Sequence, residues 1–525
     1  MVDRIALRGF AGETPKVPPH YLPETHAASC VNAALDTGDL SPLRASILRQ
    51  ALSTTADSIY LHGADWLSWA SDADAVPGPV ATDRLYITRS GAAPVMRVDG
   101  NERPLALPNP TVAPTVTLTG TLDNDTAGTF VYGWTWVTSL GEETAPSPLS
   151  PPIKWSDGCT VTVGGMPNTP PANRLVTAKR IYRSETSATG ETELFFVAEI
   201  PATNVAYVHN PALAPIQEAI RTKDFGPVPA NLQGLTALPN GILAGFRGKE
   251  LWFCEPYQPH AWPSIYMLTT NDFIVALAAF GTSLAVLTTG MPYVVQGLHP
   301  EQMTMQKIEQ PLPCISKRSV VDMGYAAIYA SPDGLVQIGT QGASLISQNL
   351  WTQRQWTLME PHNIRAARYG QRYAFVSSPT STMGQAIAMV DTTGAQPFLV
   401  RSDDTARALF SHDRSGKLYY LTTNGLEIRE FNPVGGALKT YRWRSKPFRV
   451  TDSQSFGIAI VDTGGTTGTV TCIIYADGVE FYRSSERDKR FRLPAGRGRE
   501  WQIELTGTAS VIQVRMARMI GGLGD

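Results

Sequence analysis

Residues Lys417–Phe431 read KLYYLTTNGLEIREF, and they give the clearest copy of a unit that recurs along the chain. An apolar strand over 417–421 is followed by a turn and by a second strand over 425–431. Aromatic and β-branched residues favour strands, and glycine next to polar residues favours turns. The stretch therefore predicts a β-hairpin.

The same unit of strand, turn and strand recurs along the chain, at a mean spacing near the ~40–50 residues of a propeller blade. The other strand pairs are 58–63 with 66–69, 83–88 with 95–100, 241–246 with 250–254, 273–277 with 283–287, 326–330 with 334–338, and 372–376 with 386–391. A proline-rich hinge, Leu107–Pro110, interrupts the series. The units carry no WD or kelch signature, so we predict a degenerate β-propeller built from residues 51–110 and 223–440. The alternative is a run of unrelated β-sandwiches.

Residues 111–222 form a different module, inserted between the blades. Thr129–Thr138 alternates as a half-buried strand, and a proline-punctuated bend, Gly141–Pro148, follows it. Further strands are predicted over 179–184, 194–200 and 206–208. This pattern predicts a fibronectin-III-like β-sandwich.

The two ends of the chain differ from the blades. Residues 1–50 form an extended N-terminal arm, because prolines remove hydrogen-bond donors and fix φ. The segment from Ser41 through Leu52 is either a short helix or an extended strand. Such an arm has little core of its own, so we expect it to clamp onto another part of an assembly. Residues 441–525 alternate again and predict a C-terminal β-sandwich, which completes an all-β fold class.

The arm, the insert and the order of the parts carry a resemblance. The arm contributes residues Gly9–Arg44 to this resemblance, and the insert contributes Trp134–Pro148 and Lys179–Ser184. With the order of arm, interrupted propeller and C-terminal β module, the chain resembles the nozzle proteins of short-tailed bacteriophages, of the tail tubular protein B type, and related head-completion or hub proteins. The resemblance covers most of the chain.

This resemblance implies a structural virion protein. It implies a homo-oligomeric ring, six copies by expectation, below the portal and adaptor proteins. The ring would continue the DNA channel, attach other phage tail proteins and act in genome retention and ejection, with transient passage of double-stranded DNA. The location would be the phage tail of the virion, after synthesis in the host cytoplasm. The family offers no catalytic residues to transfer.

Charge is polarised along the chain. Residues 439–525 hold 14 Lys+Arg against 9 Asp+Glu, whereas the other residues hold 30 against 37. Seven cations fall within seventeen residues: Arg483, Arg487, Lys489, Arg490, Arg492, Arg497 and Arg499. The plain interpretation is a solvated, locally paired hairpin face. The functional interpretations are contact with DNA phosphates or with an acidic patch on a neighbouring subunit. Of these two we favour the subunit contact, since a conduit has reason not to hold DNA tightly.

Four aromatic residues cluster between residues 252 and 263, and they are candidates for an interface: Trp252, Phe253, Tyr257 and Trp262. Large aromatic side chains are typical anchors of protein contacts. The alternative is a sugar-binding rim, which would make the chain a receptor- or glycan-binding tail component.

An enzyme is not expected. Ser411–Gly416 and Ser331–Gly334 come near the Ser-x-Asp-x-Gly boxes of propeller sialidases, but both are better interpreted as hairpin turns. The eight histidines form no HxH or HExxH motif, and no glycine loop matches a P-loop. We therefore expect no metal site and no cofactor.

The cysteines and the apolar runs complete the sequence-based picture. The five cysteines lie far apart, with no CxxC pair, and each is expected to be a small buried hydrophobe. No run approaches the ~18 apolar residues of a membrane span. The first residues lack the apolar stretch of a secretory signal.

Overall fold

The computed structural model describes residues 4–81, 83–186, 192–211, 217–392 and 396–523. It is almost wholly β-structure, and α1 (Gln353–Leu358) is the single α-helix of the described residues. Short 3-10 turns occupy Pro19–Tyr21, Pro239–Gly241, Ser264–Tyr266, Pro300–Gln302, Lys317–Ser319, Pro361–Asn363 and Ile520–Leu523. No helix of these ranges is both long and apolar enough to cross a membrane.

The arm contains five strands, and two sheets follow it. The arm strands are β1 (Arg4–Leu7), β2 (Ala27–Val31), β3 (Ala33–Ala34), β4 (Ser41–Pro42) and β5 (Ile47–Ala51). Blade 1 is the hairpin of β6 (Ser58–His62) and β7 (Asp65–Trp69). Blade 2 is a four-stranded sheet of β8 (Ala73–Pro77), β9 (Leu85–Arg89), β10 (Val95–Val98) and β11 (Asn101–Pro104).

The insert is a two-layered sandwich of the fibronectin-III-like kind. Its strands are β12 (Thr115–Thr119), β13 (Gly128–Phe130), β14 (Tyr132–Thr138), β15 (Ile153–Trp155), β16 (Thr160–Gly164), β17 (Val176–Thr186), β18 (Thr192–Pro201) and β19 (Tyr207–His209). One sheet has the order β12-β16-β19 and the other β14-β17-β18, with β13 and β15 paired beside them. Trp134, Trp136, Val161 and Ile181 fill the space between the layers.

Blades 3 to 7 follow the insert. Blade 3 is β20 (Gln233–Leu238), β21 (Ile242–Arg247), β22 (Glu250–Phe253) and β23 (Leu268–Thr269); blade 4 is β24 (Ile274–Phe280), β25 (Ser283–Thr288), β26 (Tyr293–Gln296) and β27 (Thr304–Lys307). Blade 5 is β28 (Val321–Asp322), β29 (Ala327–Ser331), β30 (Gly334–Gly339) and β31 (Gly342–Leu345). Blade 6 is β32 (Arg365–Tyr369), β33 (Arg372–Val376), β34 (Ala386–Asp391) and β35 (Phe398–Thr405), and blade 7 begins with β36 (Ala408–His412), β37 (Lys417–Leu421) and β38 (Glu427–Glu430).

The seven blades of the described residues form a closed ring. Their first strands contact one another in the order β6, β8, β20, β24, β28, β32 and β36, and β36 contacts β6. Strand β5 of the arm pairs with β38 as the outermost strand of blade 7, so the start of the chain completes the last blade. The fold is therefore a propeller, and the alternative of unrelated sandwiches is wrong for these residues.

Sequence patterns located the hairpins correctly. All seven predicted strand pairs are antiparallel partners in the structure. The segment after Ser41, left open between helix and strand, contains β5 and is extended.

The C-terminal module is a second sandwich. Its strands are β39 (Tyr441–Ser445), β40 (Phe448–Gln454), β41 (Ile458–Asp462), β42 (Val470–Ala476), β43 (Val479–Ser484), β44 (Arg490–Arg492), β45 (Gly498–Gly507) and β46 (Gln513–Ala517). One layer has the order β1-β46-β41-β44, and the other continues β39-β45-β42-β43. Trp443, Trp501, Leu505 and Met516 are fully buried between the layers.

The arm is extended, as predicted. We expected it to clamp onto another part of an assembly, but its strands pair within the same chain. Strand β1 pairs with β46 inside the C-terminal sandwich, and β2 lies between β35 of blade 6 and β39 of the sandwich. Ile5, Phe10 and Cys30 are buried in the same core as the C-terminal strands. The alternating pattern predicts a strand but not its partner, and here the partners lie some 370 to 510 residues further along the same chain.

Strand β2 joins two parts of the molecule into one sheet. The sheet has ten strands: it runs β32-β33-β34-β35-β2-β39-β45-β42-β43, and β40 pairs with β45 at its side. Buried Glu13 supports this junction, because Arg401 donates to its carboxylate at 2.7 Å and the backbone N–H of Cys30 donates to it at 2.7 Å. The propeller and the C-terminal sandwich are therefore one continuous β-structure.

Candidate functional site

A cluster of charged residues lies at one end of the propeller axis. Its members stand at the beginning of the innermost strands: Asp57, Asp72, Asp74, Lys317, Arg318, Arg365 and Arg407. The anions belong to blades 1 and 2, and the cations belong to blades 5, 6 and 7. We call this set the axial charge cluster.

Its strongest contacts cross the ring. The ammonium of Lys317 lies 2.8 Å from Asp72 Oδ2 and 2.6 Å from Asp74 Oδ2. Arg318 also pairs with Asp72, and it donates to the carbonyl of Ala73 at 2.8 Å. Blades 3 and 4 separate blade 2 from blade 5 on one side, and blades 6, 7 and 1 separate them on the other. The bridge therefore spans the axis instead of joining neighbours.

A second set of contacts joins blades 6, 7 and 1. Arg407 Nε donates to Asp57 Oδ1 at 2.6 Å, and an Arg365 guanidinium nitrogen lies 3.6 Å from the same oxygen. Arg365 also donates to the carbonyl of Arg407 at 3.3 Å. Five of the seven blades are thus linked by charge at the same end of the axis.

The charges in the cluster stabilise each other. Burial alone would raise the pKa of Asp72, but Arg318 and Lys317 outweigh burial and hold the pKa below its ordinary value. Burial would lower the pKa of Arg318, but Asp74 and Asp72 raise it above the ordinary range. The cluster is therefore an electrostatic lock across the propeller, held by the attraction between Asp72 and its two cationic partners.

The sequence contains a regularity that indicates this cluster, although the sequence analysis did not identify it. Asp57, Asp72 and Arg407 each stand directly before an innermost strand, and Arg365 is the first residue of one. A charged residue at the same position of successive repeats is the detectable feature. Which charges face each other across the axis depends on the ring closure, which the sequence does not reveal.

The insert is held to the propeller by buried polar contacts that surround an ion pair within the insert. Arg174 and Glu142 lie 2.6 Å apart with side chains 1% and 5% exposed, and Arg174 also donates to the carbonyl of Leu105 behind blade 2. His260 of blade 3 hydrogen-bonds through Nε2 to the carbonyl of Glu143 at 3.0 Å. Burial lowers the pKa of His260 despite the nearby Glu142 carboxylate. Buried groups from blade 2, the insert and blade 3 therefore fix the orientation of the insert.

The predicted basic cluster does not form one surface. Arg487 donates to the carbonyls of Thr466 and Gly468, before β42 begins, whereas the backbone N–H of Arg499 donates to Asp477, after β42 ends. The seven residues of β42 separate these two places by about 20 Å.

Three of the seven residues stay together, because Arg483, Arg487 and Lys489 line one open concavity. Arg483 is paired with Glu480 at 2.9 Å on the exposed strand β43. Arg490 and Arg492 lie on one face of β44, while Phe491 between them is buried. Lys489 and Arg497 are exposed in loops. Local pairing, the plain interpretation, describes Arg483 and Arg487. Arg490 and Arg492 share a separate exposed surface.

The aromatic stretch is mainly core, which corrects its prediction as an interface for two of the four residues. Phe253 and Trp262 are fully buried, and the indole N–H of Trp262 donates to the carbonyl of Pro259. Trp252 is partly buried, and Tyr257 is 54% exposed. Aromatic residues at this spacing fill the outer part of blade 3, so neither Phe253 nor Trp262 is accessible to a partner or a sugar.

Other sequence candidates fall in ordinary structural positions. Ser411–Gly416 lies at the turn between β36 and β37, and Ser331–Gly334 at the turn between β29 and β30, as interpreted from the sequence. All five cysteines are buried, and burial raises the pKa of Cys254, Cys314 and Cys472 to about 12. In the described ranges, no group of three or more His, Cys, Asp or Glu residues is arranged to hold a metal ion.

Comparisons with known proteins give no family. No family model matches the chain, and no curated protein matches it. The solved structures that it resembles are propeller proteins, at low similarity.

A crystal structure of BBS1N in complex with ARL6DN aligns at a TM-score of 0.30 and 10% identity, over 76% of this chain and 98% of that one. The Neurospora crassa Pan2 WD40 domain aligns at 0.27 and 7% identity, over 53% and 87%. Kluyvelomyces marxianus Hsv2 aligns at 0.25 and 11% identity, over 64% and 95%. Scores of this size carry no argument about function, and the propeller assignment rests on the strand pairing and ring closure described above.

Proposed function

We propose that this chain is a structural subunit of a bacteriophage tail, a nozzle protein that stands in a ring of copies around the DNA passage. In this role it attaches to the portal and adaptor proteins and to other tail parts, and it acts in genome retention and ejection. The observation that carries the proposal is the ten-stranded sheet. Strand β2 pairs with β35 and β39 and so makes propeller and sandwich one frame.

The packing of the chain supports a mechanical role. Each appended module contacts the propeller through a buried polar group: Glu13 binds Arg401 where the sandwich meets blade 6, and Arg174 of the insert donates to the carbonyl of Leu105 behind blade 2. Removing one partner of a buried charge pair is strongly destabilising, so such joints resist bending. A subunit that transmits force between tail parts needs joints of this kind.

The passage for DNA in this proposal lies between copies. The axis of the propeller itself is crossed by the contacts of Lys317 with Asp72 and Asp74. A duplex threaded through one propeller would have to break this lock. The lumen is therefore formed by the outer surfaces of several subunits.

The burial of the aromatic stretch argues against the alternative of a glycan-binding tail component. Stacking on a sugar requires an accessible ring, and Trp262 is fully buried.

The experiment combines the isolated protein with purified particles. Native mass spectrometry of the full chain should give a closed oligomer, with six copies expected, and electron cryomicroscopy of particles should place the chain in a tail ring. A chain that stays monomeric at high concentration and is also absent from purified particles overturns the proposal.

A further inference from the structure

Two exposed apolar patches with opposite charges at their rims lie on different parts of the molecule. The first is on blades 3 and 4 and contains Tyr257, Ile265 and Leu298, which are 54%, 68% and 67% exposed. We call it the apolar-acidic patch. Contiguous exposed apolar side chains rimmed by polar residues mark interaction sites.

The three apolar residues are neighbours in space. The carbonyl of Leu298 accepts a hydrogen bond from Asn240, and a side chain at the next residue, Gly241, would collide with the ring of Tyr257. The 3-10 turn containing Ile265 packs against the turn that follows Leu298. Tyr257 has a φ of 60°, a left-handed conformation that is rare for a tyrosine. The exposed ring is therefore held in place by the backbone.

The rim of this patch is negative. The hydroxyl of Tyr266 donates to Glu255 Oε2 at 2.7 Å, and burial together with Glu255, Glu301 and Asp224 raises the pKa of Tyr266. The Glu301 side chain is 60% exposed, and its carboxylate lies 4.0 Å from Nδ1 of His299. Three carboxylates therefore border the apolar surface.

The second patch is on the outer face of the sheet β1-β46-β41-β44. Ile458 pairs with both Ala517 and Arg492, and Ala517 pairs with Arg4, so these four side chains share one face. The C-terminal 3-10 turn covers the middle of that face, where Leu523 is buried against Ile458 and Ala517.

Beside this covered centre the surface is apolar and positive. Met519, just before the turn, is 76% exposed, and Ile520, its first residue, is 57% exposed. Arg4, Arg490 and Arg492 are exposed on the same face of the sheet. We call this surface the apolar-basic patch.

We propose that the apolar-basic patch of one copy docks on the apolar-acidic patch of a second copy of this chain. The partner follows from complementarity: each patch has two or three exposed apolar side chains, and the rims carry opposite charges. Met519 and Ile520 lie against Tyr257, Ile265 and Leu298. Arg490 and Arg492 face Glu301 and Glu255.

The geometry makes this contact head-to-tail. One patch is on blades 3 and 4 and the other is on the sandwich that is joined to blade 6, so a copy presents both surfaces at once. Contacts between two different surfaces of identical subunits build rings or filaments. The inference rests on the proposed function, since it names the contact by which the ring is closed.

The test uses charge reversal in the full chain. Arg492→Glu and Glu301→Arg, each made alone, place like charges opposite each other and should weaken self-association at least tenfold in sedimentation and native mass spectrometry. The double variant restores opposite charges and should recover most of the wild-type affinity. Leu298→Ser and Met519→Ser should weaken association without changing its salt dependence.

Matched controls separate this contact from general charge effects. Arg449→Glu changes an exposed cation on a different strand of the same sandwich, and Glu309→Arg changes a 77% exposed carboxylate of blade 4. Both should associate like the wild type, and circular dichroism should show that every variant is folded.

Two results overturn the inference, and only one of them also contradicts the proposed ring of subunits. If the wild type assembles and the two charge reversals assemble equally well, this contact is wrong and the ring proposal stands. If the wild type does not associate and is missing from particles, the ring proposal and this contact fail together.

Discussion

Lys317 and Asp74 form an ion pair of 2.6 Å across the axis of the propeller, between blades 5 and 2. The two residues are 243 positions apart in the chain. Neighbouring blades are already joined by packing of their first strands, so this pair restrains the diameter of the ring and not the contact between adjacent blades.

Replacing Lys317 by Met should therefore lower the free energy of unfolding of the whole propeller. The change leaves Asp72 and Asp74 with Arg318 as their remaining cation, and we expect a loss of about 2 kcal/mol. Hydrogen exchange should show faster opening in blades 2 and 5 together. The control is Arg449→Met, whose partner Glu500 is only partly buried and whose own side chain is 67% exposed. Exchange that rises only in blade 5 would contradict a bridge across the axis.

The arm should be ordered in the isolated chain. Because β2 pairs on both sides, the amides of residues 27–31 should exchange as slowly as those of β39 and β45. The edge strand β11, residues 101–104, provides a fast-exchanging comparison. If the arm amides exchange rapidly until the chain is assembled into particles, then the arm does clamp onto other components and the intrachain pairing is wrong.

The arm also shows where sequence reasoning stops. Hairpins such as 417–431 were located because both strands and their turn are local. Strand β5 was left open between helix and strand, and its pairing with β38 joins residues about 380 positions apart. Long-range pairing depends on which strand edges remain free after the blades form, and the local pattern of a strand does not reveal its partner.

For the candidate sites, too, local properties were predicted from the sequence and spatial arrangement was not. Burial of all five cysteines was predicted from their isolation along the chain, and it holds both in strands, as for Cys30 and Cys472, and outside them, as for Cys254. The run of seven cations was interpreted either as a locally paired hairpin face or as a contact surface for DNA or a neighbouring subunit, but Arg487 and Arg499 lie at opposite ends of β42. A strand displaces its two ends by about 3.3 Å per residue, so closeness in sequence does not give a common surface.

His209 should make the insert sensitive to acid. It is buried, its Nδ1 is 3.0 Å from the hydroxyl of Tyr132, and burial, with Arg183 nearby, lowers its pKa to about 4. Between pH 6.5 and 4 the unfolded insert binds a proton that the folded insert does not, so its stability falls as the pH falls through this range. A shift of this size corresponds to at most about 3 kcal/mol.

The measurement for His209 is hydrogen exchange of the β14 amides as a function of pH, corrected for the intrinsic exchange rate. In His209→Gln the loss of protection between pH 6.5 and 4 should be much smaller. Equal losses in both proteins would show that another group is responsible.

Lys179 should make the stability of the insert depend on pH in the alkaline range. Its ammonium lies 5.6 Å and 5.0 Å from the ring centres of Trp134 and Trp136 and donates to the carbonyls of Pro167 and Asn204, and burial lowers its pKa to about 8. Between pH 8 and 10.5 the folded insert has lost a proton that the unfolded insert keeps. Its stability should therefore rise with pH in this window and level off above it. Lys179→Met removes the titrating group, so its protection should not change across the same window.

Trp262 tests whether the aromatic stretch is core or binding surface. The side chain is fully buried, and its indole N–H donates to the carbonyl of Pro259 at 2.8 Å. Truncating a buried tryptophan to alanine costs about 3–5 kcal/mol, since it removes the packed side chain and leaves a cavity. We therefore expect Trp262→Ala to accelerate exchange in blade 3 by about two to four orders of magnitude.

The comparison is Tyr257→Ala, which changes an exposed ring in the same stretch. It should leave blade 3 protected, because a side chain that is half exposed contributes less packing. It should instead weaken self-association, since Tyr257 belongs to the apolar-acidic patch. If Trp262→Ala keeps full protection of blade 3 and loses binding to glycans on an array, then the indole is a surface residue and the sugar-binding interpretation is right.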